Sequence, residues 1–312
     1  MSALPFEDAL EGFRRLWVRS DALEVAVLPE LGGKLQTLRL LGDDHNVLLE
    51  PPELPYLRPF AGAPFDAFDT SGWDECFPTI TACEHQGSRH SDHGELWSAP
   101  WMLGPHSPDR LTLHAVVKDR PWSFTRTLEV RGPTLTVSYE LTSRADVPQD
   151  VLWSAHPLLT VSEGSRIELP EEVRTARVES AHPDRFGGHG ATIAWPVHEG
   201  EALDRLQGIG RRTADKLFVG PLDEGRCAFH DEASGVTITF RFDPAVLPYV
   251  GLWICEGGWP SHPGRRRHHT VALEPCTAPM DSLAEAAAQG HAWRLQPHET
   301  RRWTLEVTLT RR

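Results

Sequence analysis

Apolar residues recur at every second position in several short stretches, and this period constrains the fold more than any other feature. It is clearest in "PTLTVSYELTS" (133–143), "GVTITFRFD" (235–243) and "RRWTLEVTLT" (301–310). Each stretch is bounded by turn-forming or charged residues, as strands are. Because alternation leaves one face of a strand apolar, it favours antiparallel sheets over a parallel sheet buried on both faces. Further strands are predicted in "DALEVAVLPELGG" (21–33), "RLTLHAVVKD" (110–119) and "SFTRTLEVRG" (123–132).

Helical signals are few. In "DSLAEAAAQG" (281–290), Ser282 and Glu285 have the spacing of a capping box, and Gly290 fits a helix stop. A weaker helix is predicted in "GEALDRLQGIG" (200–210). No internal repeat or linker-like tract divides the chain, so residues 1–312 are predicted to form a single all-β domain. Its expected architecture is a large two-layer sandwich with few short helices.

The charge of the chain argues against two classes of partner. Its formal net charge is −13, whereas nucleic acids and anionic membrane surfaces attract basic proteins. The one basic run, Arg265–Arg267 followed by two histidines, lies among Pro and Gly residues and predicts an exposed loop. A phosphate-binding role for this run is the alternative interpretation.

Cysteine usage and the terminal sequence indicate a compartment. Five cysteines, an odd number without repeated spacing, suggest reduced thiols in a cytoplasmic protein. The segment "MSALPFEDALEGFRRL" (1–16) has early acidic residues and lacks the apolar core of a signal peptide. No uncharged apolar stretch reaches the length of about 18 residues expected of a membrane helix.

Four potential metal ligands occur together in "CEHQGSRHSDHGELW" (83–97). Cys83, His85, His90 and His93 are zinc-type ligands, but their spacing matches neither paired CxxC knuckles nor HExxH. We therefore expect no metal and no organic cofactor, and keep a metal-dependent isomerase or hydrolase as an alternative. The sequence also contains no GxSxG elbow and no phosphate-binding P-loop.

General acid–base chemistry is the hypothesis that remains. Glu274 ends the apolar run of "VALEP" (271–275), and burying a carboxylate is costly unless it is paired or used. His156 lies in "VLWSAHPLLTV" (151–161) and can exchange a proton near neutral pH. On either side of a small ligand, such a pair needs no cofactor. The alternatives are a structural carboxylate and a hydrogen-bonded core histidine.

Five segments, taken in order, resemble the aldose 1-epimerase family, also known as the galactose mutarotase-like proteins. No single motif is highly specific, but the order and spacing of the five motifs together are specific. The resemblance covers most of the chain. The segments are "PELGGKLQTL" (29–38), "HGELW" (93–97), "WSAHPLLTV" (153–161), "ADKLFVG" (214–220) and "VALEPCTAPMDSL" (271–283).

This resemblance implies a large antiparallel β-supersandwich whose concave sheet binds a sugar, and the interconversion of the α and β anomers of a free aldose. By motif, Glu274 is the base that takes the C1 hydroxyl proton. His156 is the acid that protonates the ring oxygen, with a nearby carboxylate expected to keep it charged. His93 and Asp215 would hold sugar hydroxyls. The expected partner is therefore a small-molecule sugar.

The chain departs from the family pattern at "SGWDECFPTI" (71–80), where better-known members have an Asn-Arg pair. Asp74 and Glu75 would instead form an acidic floor that favours a neutral sugar. Trp73 could stack on a sugar face, and Trp253 is a second aromatic candidate, although both tryptophans could equally be core residues. A hexose-6-phosphate 1-epimerase and a non-catalytic sugar-binding or sugar-sensing protein remain alternative functions.

Overall fold

Two antiparallel sheets packed face to face make up most of the protein. The computed structural model describes residues 6–118, 120–260 and 265–311. Its strand ladders are all antiparallel, and the only parallel pairings in those ranges are isolated bridges. The predicted all-β sandwich is confirmed. Residues 1–5 of the N-terminal segment, residue 119 at the end of the predicted strand 110–119, and residues 261–264 just before the basic run lie outside the described residues.

The larger sheet has eleven strands and carries the candidate site. In spatial order these are β1 (Glu7–Leu10), β2 (Phe13–Arg19), β3 (Leu23–Leu28), β4 (Lys34–Leu40), β5 (Trp73–Cys76), β13 (Ser154–Leu159), β23 (His269–Cys276), β22 (Tyr249–Glu256), β19 (Thr213–Val219), β15 (Thr175–His182) and β16 (Thr192–Ala194).

The smaller sheet has eight strands and covers one face of the larger one. In spatial order these are β14 (Arg166–Glu168), β20 (Arg226–His230), β21 (Val236–Phe242), β25 (Thr300–Arg311), β11 (Thr134–Ser143), β10 (Trp122–Arg131), β9 (Arg110–Val116) and β8 (Met102–Ser107). Three two-stranded ribbons complete the strands: β6 (Cys83–His85) with β7 (Ser88–His90), β12 (Gln149–Val151) with β24 (Trp293–Leu295), and β17 (Val197–His198) with β18 (Glu201–Ala202).

The main hydrophobic core lies between the two sheets. The predicted period of two is observed in the smaller sheet, where β10 alternates strictly between buried and partly exposed residues. Each large apolar side chain removed from water contributes about 1.5–3 kcal/mol to stability. The inward sets predicted from the sequence are all buried: Leu135, Val137, Tyr139 and Leu141 on β11, Val236, Ile238, Phe240 and Phe242 on β21, and Trp303, Leu305, Val307 and Leu309 on β25.

The middle strands of the larger sheet differ because they are buried on both faces. Every residue of β5, β13 and β19 is buried, as are seven of the eight residues of β23. Loops and the helix cover their outer face with a second apolar cluster that includes Cys76, Phe218 and Met280. The prediction of one buried face per strand therefore fails in the middle of this sheet, where the covering loops leave a cleft.

One α-helix, α1 (Leu283–Ala288), is present among the described residues, and it is where the sequence predicts it. The Ser282 hydroxyl accepts a hydrogen bond from the Glu285 backbone N–H, and Gly290 adopts a positive φ of 77°. The second predicted helix is wrong. Residues 200–210 form β18, a bend and the start of a 3₁₀ turn at Ile209–Arg211. The backbone N–H groups of Leu203 and Leu206 donate to carbonyl groups of neighbouring loops, so they do not form the hydrogen bonds of a helix. No helix in the described ranges has the length and apolarity to cross a membrane.

Candidate active site

A row of residues crosses the middle of the larger sheet on its outer face. The register pairs Asp74 with His156, and Gly251 with both Glu274 and Phe218 on its two sides. The pairs Ser154–Cys276 and Leu158–Ala272 place His156 opposite Glu274 as well. Because residues directly opposite in a ladder share a face, these side chains point into the same cleft.

Glu274 has one occupied and one free carboxylate oxygen. Its neighbours Val271 and Leu273 belong to the core between the sheets, so alternation turns Glu274 towards the cleft, where it is fully buried. Its Oε2 accepts a hydrogen bond from Lys216 Nζ, whereas its Oε1 has no hydrogen-bond partner among the described residues. Burial raises the pKa of Glu274, and the charge of Lys216 opposes that rise. The free oxygen is therefore a desolvated acceptor exposed only to the cleft.

A glycine lets Lys216 reach this carboxylate from two strands away. Lys216 lies on β19, and Gly251 on β22 separates that strand from β23. A Cβ at position 251 would lie 2.9 Å from Glu274 Oε2 and 3.2 Å from the Phe218 ring. The absence of a side chain at Gly251 thus leaves the space that the ion pair occupies.

Lys216 is held between two carboxylates. Besides Glu274, its Nζ lies 3.7 Å from Oδ1 of Asp281, a residue whose backbone carbonyl accepts bonds from Ile80 and Thr81. Burial by itself would lower the pKa of Lys216, but the charges of Glu274 and Asp281 outweigh it and raise that pKa. The lysine is therefore a buried ammonium group at the cleft floor.

His156 lies beside Glu274, at ion-pair distance from its free carboxylate oxygen. Its Nε2 is 3.9 Å from Glu274 Oε1, and its Nδ1 has no hydrogen-bond partner within the described part of the chain. Burial, followed by the charges of His93, Lys216 and Lys34, holds its pKa well below the ordinary histidine range. Asp74, across the ladder, is engaged by Lys34, so Glu274 is the carboxylate that lies within ion-pair distance of the imidazole.

The His-Gly motif forms a tight turn that brings His93 into the cleft. His93 has a φ of 58° and Gly94 a φ of 71°, and a Cβ on Gly94 would lie 2.0 Å from the carbonyl oxygen of Phe77. Only glycine fits at this second position. The His93 ring stacks on Phe65 with centroids 3.9 Å apart, and its Nδ1 lies 3.1 Å from Asp92 Oδ1.

These side chains surround a cavity of about 430 Å³, a size typical of small-molecule sites. The walls combine aromatic rings with hydrogen-bonding groups. The lining residues are Phe65, Asp66, Thr70, Ile80, Thr81, Asp92, His93, His156, Leu158, Ser180, Lys216, Trp253, Trp259, His268, Glu274 and Asp281. Of the residues predicted from the sequence, Glu274, His156, His93 and Trp253 are brought together here.

Trp73 and Glu75 lie on the opposite face of β5, so the predicted aromatic and acidic floor is not formed by them. Trp73 is fully buried between the sheets against Phe240. Glu75 is also fully buried there and accepts bonds from Arg126, Tyr139 and Trp153. The reason is the period of two, since β5 is a strand and adjacent residues on a strand face opposite ways.

Asp74 and Asp215 are also engaged away from a ligand. Asp74 points to the cleft side but is buried beneath it and paired with Lys34, and its pKa is raised to about 6 by burial, which outweighs that pairing. Asp215 is ion-paired with Arg185 and does not line the cavity. Within "ADKLFVG" the strand period turns Lys216, not Asp215, to the cleft. In this segment, the residue that faces the cleft is therefore one position after the residue that the resemblance names.

Several cleft residues were not predicted from the sequence. Lys216, Asp281, Phe65, Trp259 and His268 line the cavity but belong to segments that meet only in the folded chain. The sequence pattern could have identified Lys216 as a cleft residue, because the alternate positions Leu217 and Val219 are apolar and face the core. His268 is buried against Trp259 and has its pKa lowered to about 4, mainly by burial.

The proposed zinc-type cluster is not assembled. Cys83 pairs with His90 across a ribbon, but His85 Nε2 lies 2.9 Å from Asp150 Oδ2, and His93 is in the cleft. Among the described residues, a different trio, Cys76, His93 and His156, has donor atoms within 4.8 Å of one another. Charges of both signs act on this trio: the Glu274 carboxylate and the Lys216 ammonium act on Cys76, and the ammonium groups of Lys216 and Lys34 act on His156.

The arginines of the basic run lie near the cleft mouth and are engaged by the protein. Arg265 bonds to the Glu53 carboxylate and to the carbonyl of Asp66, a cavity residue. Arg266 bonds to the carbonyl of Pro52, and Arg267 to that of Gly257. Arg266 and Arg267 are exposed, in agreement with the predicted loop, although residues 261–264 of that loop are not described.

Comparison with known proteins bears on the fold. No family profile and no curated protein matches the sequence. Crystal structures do match: a Synechocystis protein at TM-score 0.71 and 15% identity, over 100% of both chains. An Escherichia coli K12 protein described as a candidate aldose 1-epimerase matches at TM-score 0.70 and 14% identity, over 95% of this chain and 98% of that one. A galactose mutarotase related enzyme from Lactobacillus acidophilus matches at TM-score 0.71 and 12% identity, over 95% and 97%.

The chain has the galactose mutarotase-like fold. This confirms the fold that the five motif segments predict. At identities of 12–15% the likeness extends to architecture alone, since one fold hosts many activities. The activity of this protein therefore depends on the residues of its own cleft.

Proposed function

We propose that this protein is an aldose 1-epimerase acting on a free, uncharged sugar, with Glu274 as the general base. The observation that carries the proposal is the buried and unpartnered Oε1 of Glu274, a residue that lines the cavity. A carboxylate oxygen in this position is costly to maintain and has no structural partner to justify it. It supports a role in taking a proton from a bound ligand.

The reaction follows from this geometry. Glu274 Oε1 takes the proton of the C1 hydroxyl, the bond between C1 and the ring oxygen breaks, and the ring oxygen receives a proton from an acid in the cleft. The open-chain aldehyde turns about its C1–C2 bond, and the ring closes on the other face with both proton transfers reversed. The resemblance assigns the acid to His156, and its Nε2 lies 3.9 Å from Glu274 Oε1, on the cleft side of the base.

The remaining cleft residues suit a sugar. The Trp253 and Trp259 rings provide apolar faces for the C–H surfaces of a pyranose, and His93, Asp92 and Asp281 provide hydrogen-bonding groups for hydroxyls. Among the described residues, the cations nearest the cavity are engaged by carboxylates or carbonyls. This supports a neutral substrate rather than a phosphorylated one.

Anomer exchange measured by NMR saturation transfer tests the proposal. The substrates are glucose, galactose and several other aldoses, and the matched variant is Glu274→Gln, which keeps the size of the side chain. We expect exchange that the wild type accelerates and Glu274→Gln slows by about 10²–10⁴-fold, the usual contribution of a general base. Saturable binding without exchange for any sugar would instead favour a sugar sensor, and exchange of hexose 6-phosphates alone would favour the phosphate-specific alternative.

A further inference from the structure

The floor of the cleft continues beyond the proposed base. On β23, alternation places Ala272 and Thr270 on the same face as Glu274, and both have small side chains. The register pairs Ala272 with Leu158 on one side and with Trp253 on the other, and these two larger residues line the cavity. Small side chains between larger ones leave a trough that runs along the strand.

This trough is longer than one pyranose ring. At about 3.4 Å per residue, the stretch of β23 from His269 to Glu274 is roughly 17 Å long. Glu274 and His268, which precedes the strand, line the same cavity. At the Glu274 end, the backbone carbonyl of Asp281 accepts a bond from the N–H of Ile80, so the turn after β23 forms a wall there. A sugar with its C1 at Glu274 therefore leaves the His268 end of the cavity unfilled.

Aromatic rings are concentrated at that far end. The Trp259 ring meets the Trp253 ring edge to face, with centroids 6.3 Å apart, and meets the His268 ring in the same way at 4.8 Å. The His268 backbone N–H donates to the Trp259 carbonyl, which fixes these two residues relative to each other. Both tryptophans are partly exposed, so their ring surface is available to a ligand. Aromatic faces of this kind suit the C–H surfaces of a sugar.

Two polar groups accompany these rings. His268 is 2% exposed, and its Nε2 has no hydrogen-bond partner within the described ranges. A buried polar atom without a partner costs free energy that a ligand hydroxyl can recover. Asp66 also lines the cavity, and its backbone carbonyl accepts a bond from Arg265, in the segment that leads to His268. Its carboxylate is an acceptor for hydroxyl groups. We call Asp66, Trp259 and His268 the distal subsite.

We propose that the distal subsite binds a second sugar ring, and that the substrate is a reducing disaccharide whose reducing ring lies at Glu274. This inference rests on the proposed epimerase function and names the substrate class of the same cleft. In a pyranose, C4 lies across the ring from C1. A second ring joined through the C4 oxygen therefore extends away from Glu274, along the trough and past Trp253 to Trp259. The reaction stays at C1 and the glycosidic bond is untouched, so the second ring contributes binding alone.

Anomer exchange on matched sugars tests this proposal. Each disaccharide is compared with the monosaccharide that forms its reducing ring: maltose, cellobiose and lactose with glucose, and a 4-linked galactobiose with galactose. We expect at least one of these disaccharides to have a kcat/KM about two- to tenfold above that of its monosaccharide, the size of one aromatic contact. The gain should come mainly from a lower KM.

The variants Trp259→Leu and His268→Gln locate the second ring. Their readout is the ratio of kcat/KM for the disaccharide to kcat/KM for the monosaccharide, which cancels any effect common to both sugars. We expect each variant to lower this ratio by about two- to tenfold, because each loses one contact with the second ring. Trp293→Leu is the matched control, since Trp293 is also partly exposed but does not line the cavity. Urea unfolding of each variant establishes that the folded protein is being assayed.

Two outcomes would overturn the distal subsite. They are a monosaccharide used as well as or better than every 4-linked disaccharide, and an unchanged ratio in Trp259→Leu or His268→Gln. Calorimetric titration of the wild type with the same sugars measures the binding preference without exchange. A protein that exchanges no sugar would overturn the proposed function, whereas tighter binding of a disaccharide in the titration would still support the distal subsite.

Discussion

Two buried glutamates on neighbouring parts of the same sheet have opposite surroundings. Glu75 lies between the sheets, where its Oε1 accepts bonds from Arg126 at 2.9 Å and Tyr139 at 3.0 Å, and its Oε2 from Trp153 Nε1 at 3.0 Å. Glu274 lies in the cleft, where only Oε2 is occupied. Both side chains are fully buried, so burial alone does not distinguish a structural carboxylate from a reactive one.

The difference lies in whether the hydrogen-bonding capacity is used. A buried charge whose acceptor positions are filled contributes to a defined core, and removing its partner leaves an uncompensated charge. A buried charge with an open acceptor is stabilised fully only when a ligand arrives. Burial raises the pKa of Glu75 to about 7, against the opposing effect of Arg126, so even this satisfied carboxylate depends strongly on its partner.

Arg126→Met is the substitution with the largest expected effect on stability. Arg126 is fully buried and donates to Glu75 and to the carbonyl of Gly33, so methionine would leave both without their partner. We expect the free energy of unfolding to fall by about 3–5 kcal/mol, the usual cost of breaking a buried pair. Urea denaturation measures it, with Glu274→Gln as the matched variant on the cleft side.

Glu274→Gln should lower the free energy of unfolding by less than Arg126→Met does, because the amide oxygen of glutamine can still accept the hydrogen bond of Lys216, whose Nζ also lies 3.7 Å from Asp281 Oδ1. The comparison fails if Glu274→Gln unfolds as readily as Arg126→Met, since Glu274 would then be a structural acid. It also fails if Arg126→Met retains full stability.

Gly251→Ala sharpens the comparison with a smaller change beside the reactive glutamate. The added methyl group would lie 2.9 Å from Glu274 Oε2, so the carboxylate or Lys216 must move. A displacement of about 1 Å in a catalytic group can cost about 10²-fold in rate, and we expect a fall in kcat of about 10–100-fold. Gly210→Ala is the control, because nothing lies within 4 Å of its added Cβ. Equal activity of the two variants would contradict the role given to Gly251.

The sequence predicts well where strands occur, but it predicts less well which face of a strand each residue occupies. Alternation identified the inward faces of β11, β21 and β25 because each of these strands has one polar face. Around Trp73 and Glu75 the same rule could not be applied, since "WDEC" mixes polar and apolar residues on a strand buried on both faces. There, the choice of which residue faces the cleft depends on partners such as Arg126 and Lys34, which are distant in sequence.

In the candidate site, too, some residues can be predicted from the sequence and others cannot. Glu274 and His156 could be named because each stands out in an apolar run, and His93 because of its His-Gly motif. The motif resemblance names Asp215 rather than the adjacent Lys216, but Asp215 forms an ion pair with Arg185. The lowered pKa of His156 could not be foreseen either, because its burial and then the charges of His93, Lys216 and Lys34 arise only when distant segments of the chain meet.

Two tryptophans extend the comparison from charges to aromatic rings and carry the smallest expected effect. Trp253 is partly exposed in the cleft, whereas Trp73 is fully buried between the sheets, with an Nε1 that has no hydrogen-bond partner in the described residues. Trp253→Leu should raise KM by about two- to tenfold with little change in kcat, since an aromatic contact contributes about 0.5–1.5 kcal/mol. Trp73→Phe should lower stability and leave KM unchanged, because no ligand can reach it. Steady-state anomer exchange and urea unfolding on both variants measure this, and an increase in KM for Trp73→Phe alone would mean that the cleft has been placed on the wrong face of the sheet.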